Sequence, residues 1–221
     1  MNILSFDTST NILRAGLSTP EGWSENIRST GLRHGENLIL MVQSLLEEAA
    51  LFPKDLDLIV CTKGPGSFTG LRIGLSTAKG LSEGSGVPLV AISTLQVYGS
   101  LYSFFPGTVV PLLDAKKNQF YAGFYEKGTL VMKESDIPAE LILEGCTNRG
   151  QILFTGPGLG IFMERCPDLE NNPDYYFDHY EKNSFCNILS VLGEDKFNKE
   201  GPDSPESGPA YLRASDAELG R

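Results

Sequence analysis

Two kinds of residue in this chain are placed where chemistry could occur: aspartates that close strands and glycines that open a helix. The run Gly64-Pro65-Gly66-Ser67-Phe68-Thr69-Gly70-Leu71-Arg72-Ile73-Gly74 joins an apolar, strand-like segment (residues 56–61) to a helical one (residues 71–81). Such a loop brings backbone N–H groups close to whatever sits at the helix start. It therefore either holds an anion or forms a tight structural turn. Asp7 ends the first apolar segment, ahead of Thr8-Ser9-Thr10. Asp114 ends a similar segment in the second half, ahead of Ala115-Lys116-Lys117-Asn118. A carboxylate in that position orients a metal-bound water or a phosphate, or it accepts from the backbone N–H groups that follow. Facing lobes would bring Asp7 and Asp114 to one cleft. Kinase-type sites need glycine after each aspartate, and the side chains of Thr8 and Ala115 narrow that approach.

The remaining reactive residues are sparse. His34 and His179 are isolated, with no His-x-x-x-His pair, so a three-ligand histidine metal centre is not expected. For His34 three readings stay open: helix-entry hydrogen bonding, an interface contact, and catalysis. Ser67 lies in GPGSF, which is not the GxSxG elbow of a hydrolase, so a peptidase is the weakest reading. Arg72 and Lys79 follow the glycine loop. Arg72 closes a local ion pair, or either residue touches a nucleotide or a partner carboxylate. Cys61, Cys146, Cys166 and Cys186 form no CxxC pair and read as reduced structural thiols.

The elements that position these residues form a weak internal repeat. Strands are expected at residues 2–7, 12–18 and 23–28, a helix at 36–50, a strand at 56–61, a helix at 71–81 stopped by Glu83-Gly84-Ser85-Gly86, and a strand at 87–92. Strands at 108–113 and 119–125, and a third from 130, restart the pattern. A short helix (138–143), a strand (151–155), the loop Gly156-Pro157-Gly158 and further helices follow, the last from residue 184 to about 197. Both halves read as ribonuclease-H-like α/β units with mixed sheets flanked by helices. The expected lobes are 1–103 and 104–221. The polar Pro/Gly stretch 199–208 reads as a flexible loop, and Ala210-Tyr211-Leu212-Arg213 as a segment able to pack back on a lobe.

Composition narrows the partners. The 221 residues carry a formal net charge of -10 and are 41% apolar, so a globular chain is expected that does not hold nucleic acid by itself. A membrane span and a secretory signal are not expected. Gly70, Gly74 and Ala78 recur every four residues on one helix face, which lets another helix approach closely. In the 36–50 helix, Leu38, Met41, Val42 and Leu45 belong to an apolar surface wider than one sheet face needs. A partner surface is therefore expected on both helices, with Ile73 and Thr77 joining Gly70, Gly74 and Ala78. Leucine at Gly74 would then block pairing without unfolding the lobe.

At four places the chain resembles the bacterial TsaB (YeaZ) family: Ile3-Leu4-Ser5-Phe6-Asp7-Thr8-Ser9, the run from Gly64 to Gly74, Asp114-Ala115-Lys116 with Phe120-Tyr121, and Pro209-Ala210-Tyr211-Leu212-Arg213. The resemblance covers nearly the whole chain and is weakest between about residues 130 and 199. It implies the two-lobed actin/Hsp70/sugar-kinase fold. It also implies a role in making N6-threonylcarbamoyladenosine at position 37 of tRNA, as a non-catalytic scaffold or activator. The implied partners are a metal-binding TsaD-like transferase and a TsaE-like ATPase, with a homodimer in isolation, tRNA only through the complex, and a cytoplasmic location. ATP or ADP and Mg belong to the assembly, with no cofactor held tightly by the chain alone. An ATP-dependent small-molecule kinase of the same fold is the alternative.

Overall fold

The computed structural model describes residues 1–29, 34–178 and 184–212. The chain divides into two compact units, Met1–Thr94 with Asn183–Ala210, and Leu95–Lys182 with Tyr211–Arg221. This differs from the expected 1–103 and 104–221 because the last helix rejoins the first unit.

In the first unit β1 (Ile3–Asp7), β2 (Ile12–Thr19) and β3 (Gly22–Ser29) form an antiparallel meander. Then α1 (His34–Glu48), β4 (Leu58–Gly64), α2 (Phe68–Ser85) and β5 (Leu89–Ser93) add parallel strands. The strand order is β3-β2-β1-β4-β5. Short turns permit only antiparallel neighbours, and helical crossovers supply the parallel ones. The second unit begins with α3 (Thr94–Leu101). It repeats the order as β6 (Thr108–Asp114), β7 (Phe120–Glu126), β8 (Thr129–Ile137), α4 (Ala139–Cys146), β9 (Ile152–Thr155), α5 (Leu159–Arg165) and β10 (Tyr175–Phe177). Its sheet, β8-β7-β6-β9-β10, matches the first strand for strand. The chain then returns to the first unit with α6 (Phe185–Glu200).

Strand alternation assigns the two faces of the first sheet. Leu4, Phe6, Leu13, Ala15, Ile59 and Cys61 form one core with Leu38, Met41, Val42 and Leu45 of α1 and Leu75 and Ala78 of α2. Ser5 turns the other way, donating to the Cys186 carbonyl of α6 at 3.0 Å, with the Ser190 hydroxyl 3.0 Å from its own. Thus α1 and α2 cover one face and α6 the other.

Three local expectations change. First, α2 starts at Phe68 rather than 71, because Ser67 caps it. It runs through Gly84 and ends at Ser85, where Gly86 at φ 76° donates its N–H to the Ser82 carbonyl. Second, β8 is longer than the strand expected from residue 130. Third, the 199–208 stretch lies along β5 instead of standing free. Asp203 donates its N–H to the Leu89 carbonyl at 2.9 Å and accepts the Ala91 N–H at 2.8 Å. The prolines that read as loop markers also stiffen an extended segment.

The cysteines are free thiols, and Cys61, Cys146 and Cys186 are buried. Burial pushes the Cys61 and Cys146 thiols up to about 12. Since the thiolate is the nucleophile, iodoacetamide at pH 8 should modify only half-buried Cys166 within an hour, and all four in urea. Peptide mass spectrometry checks this; rapid native labelling of Cys61 would contradict the packing.

Candidate functional site

The β1–β2 turn folds down onto the start of α2. Asp7 Oδ1 accepts the Ser9 N–H at 2.9 Å and the Thr62 hydroxyl at 2.6 Å. The Thr8 hydroxyl donates to the Gly70 carbonyl at 2.8 Å. The Ser67 N–H donates to the Ser9 carbonyl at 2.7 Å, and the Ser67 hydroxyl accepts the Gly70 N–H at 3.3 Å. At the helix start the Ser67 N–H is thus held by the turn and the Gly70 N–H by the Ser67 side chain. A Cβ at Gly70 would lie 2.0 Å from the Thr8 carbonyl oxygen, and one at Gly74 would lie 2.2 Å from the Thr8 hydroxyl oxygen. The glycines of the run let the Thr8 turn pack closely on α2.

Asp7 is wholly buried on the α6 face, with Oδ2 3.6 Å from Nη1 of Arg14. The register β1 to β2 places Arg14 directly opposite Asp7. The Arg14 guanidinium sits 5.0 Å from the centre of the Phe185 ring of α6. Asp7 is thus a turn acceptor and the anion of an interior ion pair, not a carboxylate facing solvent. Asp114 repeats the turn in the second unit, accepting the Lys116 N–H at 2.9 Å and pairing with the Lys116 ammonium at 2.5 Å. Burial raises its carboxyl, but the Lys116 ammonium, its N–H and Arg165 outweigh that and hold it below the ordinary value. A lowered folded-state pKa stabilises above the unfolded value and loses that contribution as pH falls through the folded one. Lys116→Met should therefore make acid unfolding of the second unit begin at a slightly higher pH, read by circular dichroism; an unchanged onset would count against the pair.

The other expected residues are placed as follows. His34 is the buried first residue of α1, its Nε2 2.7 Å from the Thr10 carbonyl of the β1–β2 turn. Arg72 lays its guanidinium 3.9 Å from the centre of the exposed Phe68 ring. Lys79 donates to the Pro205 carbonyl at 2.7 Å. His179 lies outside the described residues. Among the described residues no three His, Cys, Asp or Glu side chains gather as a metal site.

The expected partner surface needs correction. Leu38, Met41, Val42 and Leu45 are buried in the first core, as is Ala78, and Gly70 and Gly74 pack on Thr8. These seven residues face inward; only Ile73 and Thr77 of the nine are half-exposed. What the helices turn outward is different: Ile39 is 47% and Leu40 58% exposed on α1. Gly35, one turn before Ile39, abuts Ile73 at 3.9 Å from its would-be Cβ, which places Ile39 on the Ile73 side of α1. The width of the apolar stripe was a signal for Ile39 and Leu40. Counting hairpin register back from the turn would have found Arg14.

The family model described as "TsaD: tRNA N6-adenosine threonylcarbamoyltransferase" matches residues 28–148. The tRNA threonylcarbamoyladenosine biosynthesis protein TsaB of Bacillus subtilis is 30% identical over 224 residues, spanning 99% of this chain and 96% of that protein. The chain belongs to the TsaB family. YeaZ from Pseudomonas aeruginosa superposes with a TM-score of 0.82 at 25% identity, over 96% of this chain and 99% of that one. The inorganic polyphosphate/ATP-glucomannokinase of Arthrobacter gives a TM-score of 0.55 at 12% identity, over 88% and 99% of the two chains. At that identity the likeness concerns the fold alone, which is the duplicated architecture of actin, Hsp70 and sugar kinases. In this TsaB-family chain the turn that follows the first aspartate is packed onto α2.

Proposed function

We propose that this chain is a non-catalytic partner and activating subunit in the making of N6-threonylcarbamoyladenosine on tRNA, pairing with a TsaD-like transferase and joined by a TsaE-like ATPase. The observation that carries the reading is the packed Thr8 turn, which fills the start of α2 beside outward apolar residues on α1. A kinase of this fold needs that turn open to phosphates. The outer side of α1 and α2, with Ile39, Leu40, Ile73 and Thr77, is the pairing surface. In isolation the same surface makes a two-fold homodimer. With a net charge of -10 the chain leaves tRNA contact to its partners, and it works in the cytoplasm. Nucleotide and Mg are held by the assembly, not by this chain alone.

Leu40→Glu tests the surface. A large apolar residue at a pairing centre is worth about 2 kcal/mol, so titration calorimetry with the TsaD-like partner should show about thirtyfold weaker binding. The fold should be unaffected, because the side chain faces out. Unchanged affinity would remove this surface from the proposal. Reconstitution with TsaC-like, TsaD-like and TsaE-like proteins tests the role itself: equal modification rates with and without this chain would sink it. Tight Mg-ATP binding with turnover by the isolated chain would favour the kinase.

A further inference from the structure

The segment that follows α6 is fastened to the first unit at three places. Asp203 docks on the edge of β5, with its N–H on the Leu89 carbonyl at 2.9 Å and its carboxylate on the Ala91 N–H at 2.8 Å and the Lys196 ammonium at 2.5 Å. A turn follows, in which Ser207 donates its N–H to the Ser204 carbonyl at 2.9 Å. At that turn the Lys79 ammonium of α2 holds the Pro205 carbonyl at 2.7 Å. Ala210 then donates its N–H to the Lys63 carbonyl of β4 at 2.7 Å, and its own carbonyl lies 2.8 Å from where a Cβ on Gly64 would be. Gly64, at φ 108°, is the residue that admits this approach.

The Asp203 fastening carries an ion pair, whereas the two that follow are each a single hydrogen bond to a neutral carbonyl. The Asp203 carboxylate is paired with a cation and a backbone N–H. The Lys79 ammonium is half-exposed and meets only a neutral carbonyl at this fastening. A carboxylate offered to the same ammonium makes a charge-assisted bond about twice as strong as one to a neutral acceptor. Pro202, Pro205 and Pro209 restrict the free segment, so it recloses at low entropic cost when the competitor leaves.

We propose that residues 203–210 are a strap latched by Lys79, and that a partner presenting a carboxylate to α2 takes Lys79 away and frees the Ala210 end. This rests on α2 being a pairing surface. The strap thereby converts pairing on a helix into release of backbone at the carboxyl end of β4, where open α/β sheets place their ligands.

Hydrogen exchange by mass spectrometry on the full chain tests it, following the amides of Asp203 and Ala210. Alone, both should be protected. Lys79→Met keeps the aliphatic stem and removes the donor, so Ala210 should exchange about tenfold faster while Asp203 changes little. Saturation with the TsaD-like partner should speed Ala210 exchange by a similar factor in the unsubstituted chain and add nothing to Lys79→Met. Protection of Ala210 that is unchanged by Lys79→Met overturns the latch. Protection that is unchanged or greater in the complex overturns the release. If light scattering shows no complex at all, the pairing proposal fails, and with it the release; the Lys79→Met result still decides the latch.

Discussion

Gly70→Ala should destabilise the first unit by about 2 kcal/mol, although alanine is the better helix former by about 1 kcal/mol. Its Cβ would stand 2.0 Å from the Thr8 carbonyl oxygen, a backbone atom that cannot swing aside. Forcing extra volume into a packed site costs about 1–3 kcal/mol and sometimes more, so the clash outweighs the propensity gain. Gly84→Ala has the opposite sign. There an added Cβ meets nothing within 4 Å, so a gain of about 0.5–1 kcal/mol is expected. Trp23, the only tryptophan, lies on β3 and reports the unit's unfolding in urea by fluorescence. Equal midpoints for the two variants would show that the Thr8 turn yields easily. By the same geometry Gly74→Leu should unfold the unit rather than spare it, since its Cβ alone would lie 2.2 Å from the Thr8 hydroxyl.

Asp7→Ala is expected to cost about 3–5 kcal/mol, because it removes the carboxylate from a buried ion pair with Arg14. It also removes the acceptor for the Ser9 N–H and the Thr62 hydroxyl. A purely catalytic aspartate in an open cleft would give a different outcome, with activity lost and the urea midpoint kept. The double variant Asp7→Ala with Arg14→Met should recover part of the loss, since both members of the buried pair are then replaced by apolar groups. No recovery would mean that the turn hydrogen bonds, not the ion pair, carry the cost.

The succession of strands and helices and the mixed sheets were legible because they follow from local rules: period-two segments, short turns and helical crossovers. The matching sheets of the two units were legible through Asp7 and Asp114, which end equivalent strands and make the same turn. Facing was harder to read. Gly70, Gly74 and Ala78 do line one side of α2, but spacing says only that they share a side, not that they meet Thr8 and the sheet rather than a second helix. Leu38, Met41, Val42 and Leu45 were separable from Ile39 and Leu40 only once α1 was laid on β1 and β2. The ownership of α6 could not be read from order along the chain, because the contacts that decide it join Ser5 to Cys186 and Arg14 to Phe185.

That ownership has a consequence for how the protein is born. When a ribosome has finished β5, the strands of the first unit exist but the helix that covers Asp7, Arg14 and Ser5 does not. Roughly 90 more residues must be polymerised before α6 appears, which takes on the order of ten seconds at about 5–20 residues per second. Through that interval the nascent sheet has one bare side carrying an unsheltered charge pair. The second unit, encoded contiguously apart from its last few residues, has no such wait. Its sheet, β6 to β10, is therefore expected to be finished before the first sheet is covered, reversing the order in which the two sheets are written in the gene. A message truncated between Phe177 and Phe185 should yield a product with a folded second-unit sheet and a protease-sensitive first unit.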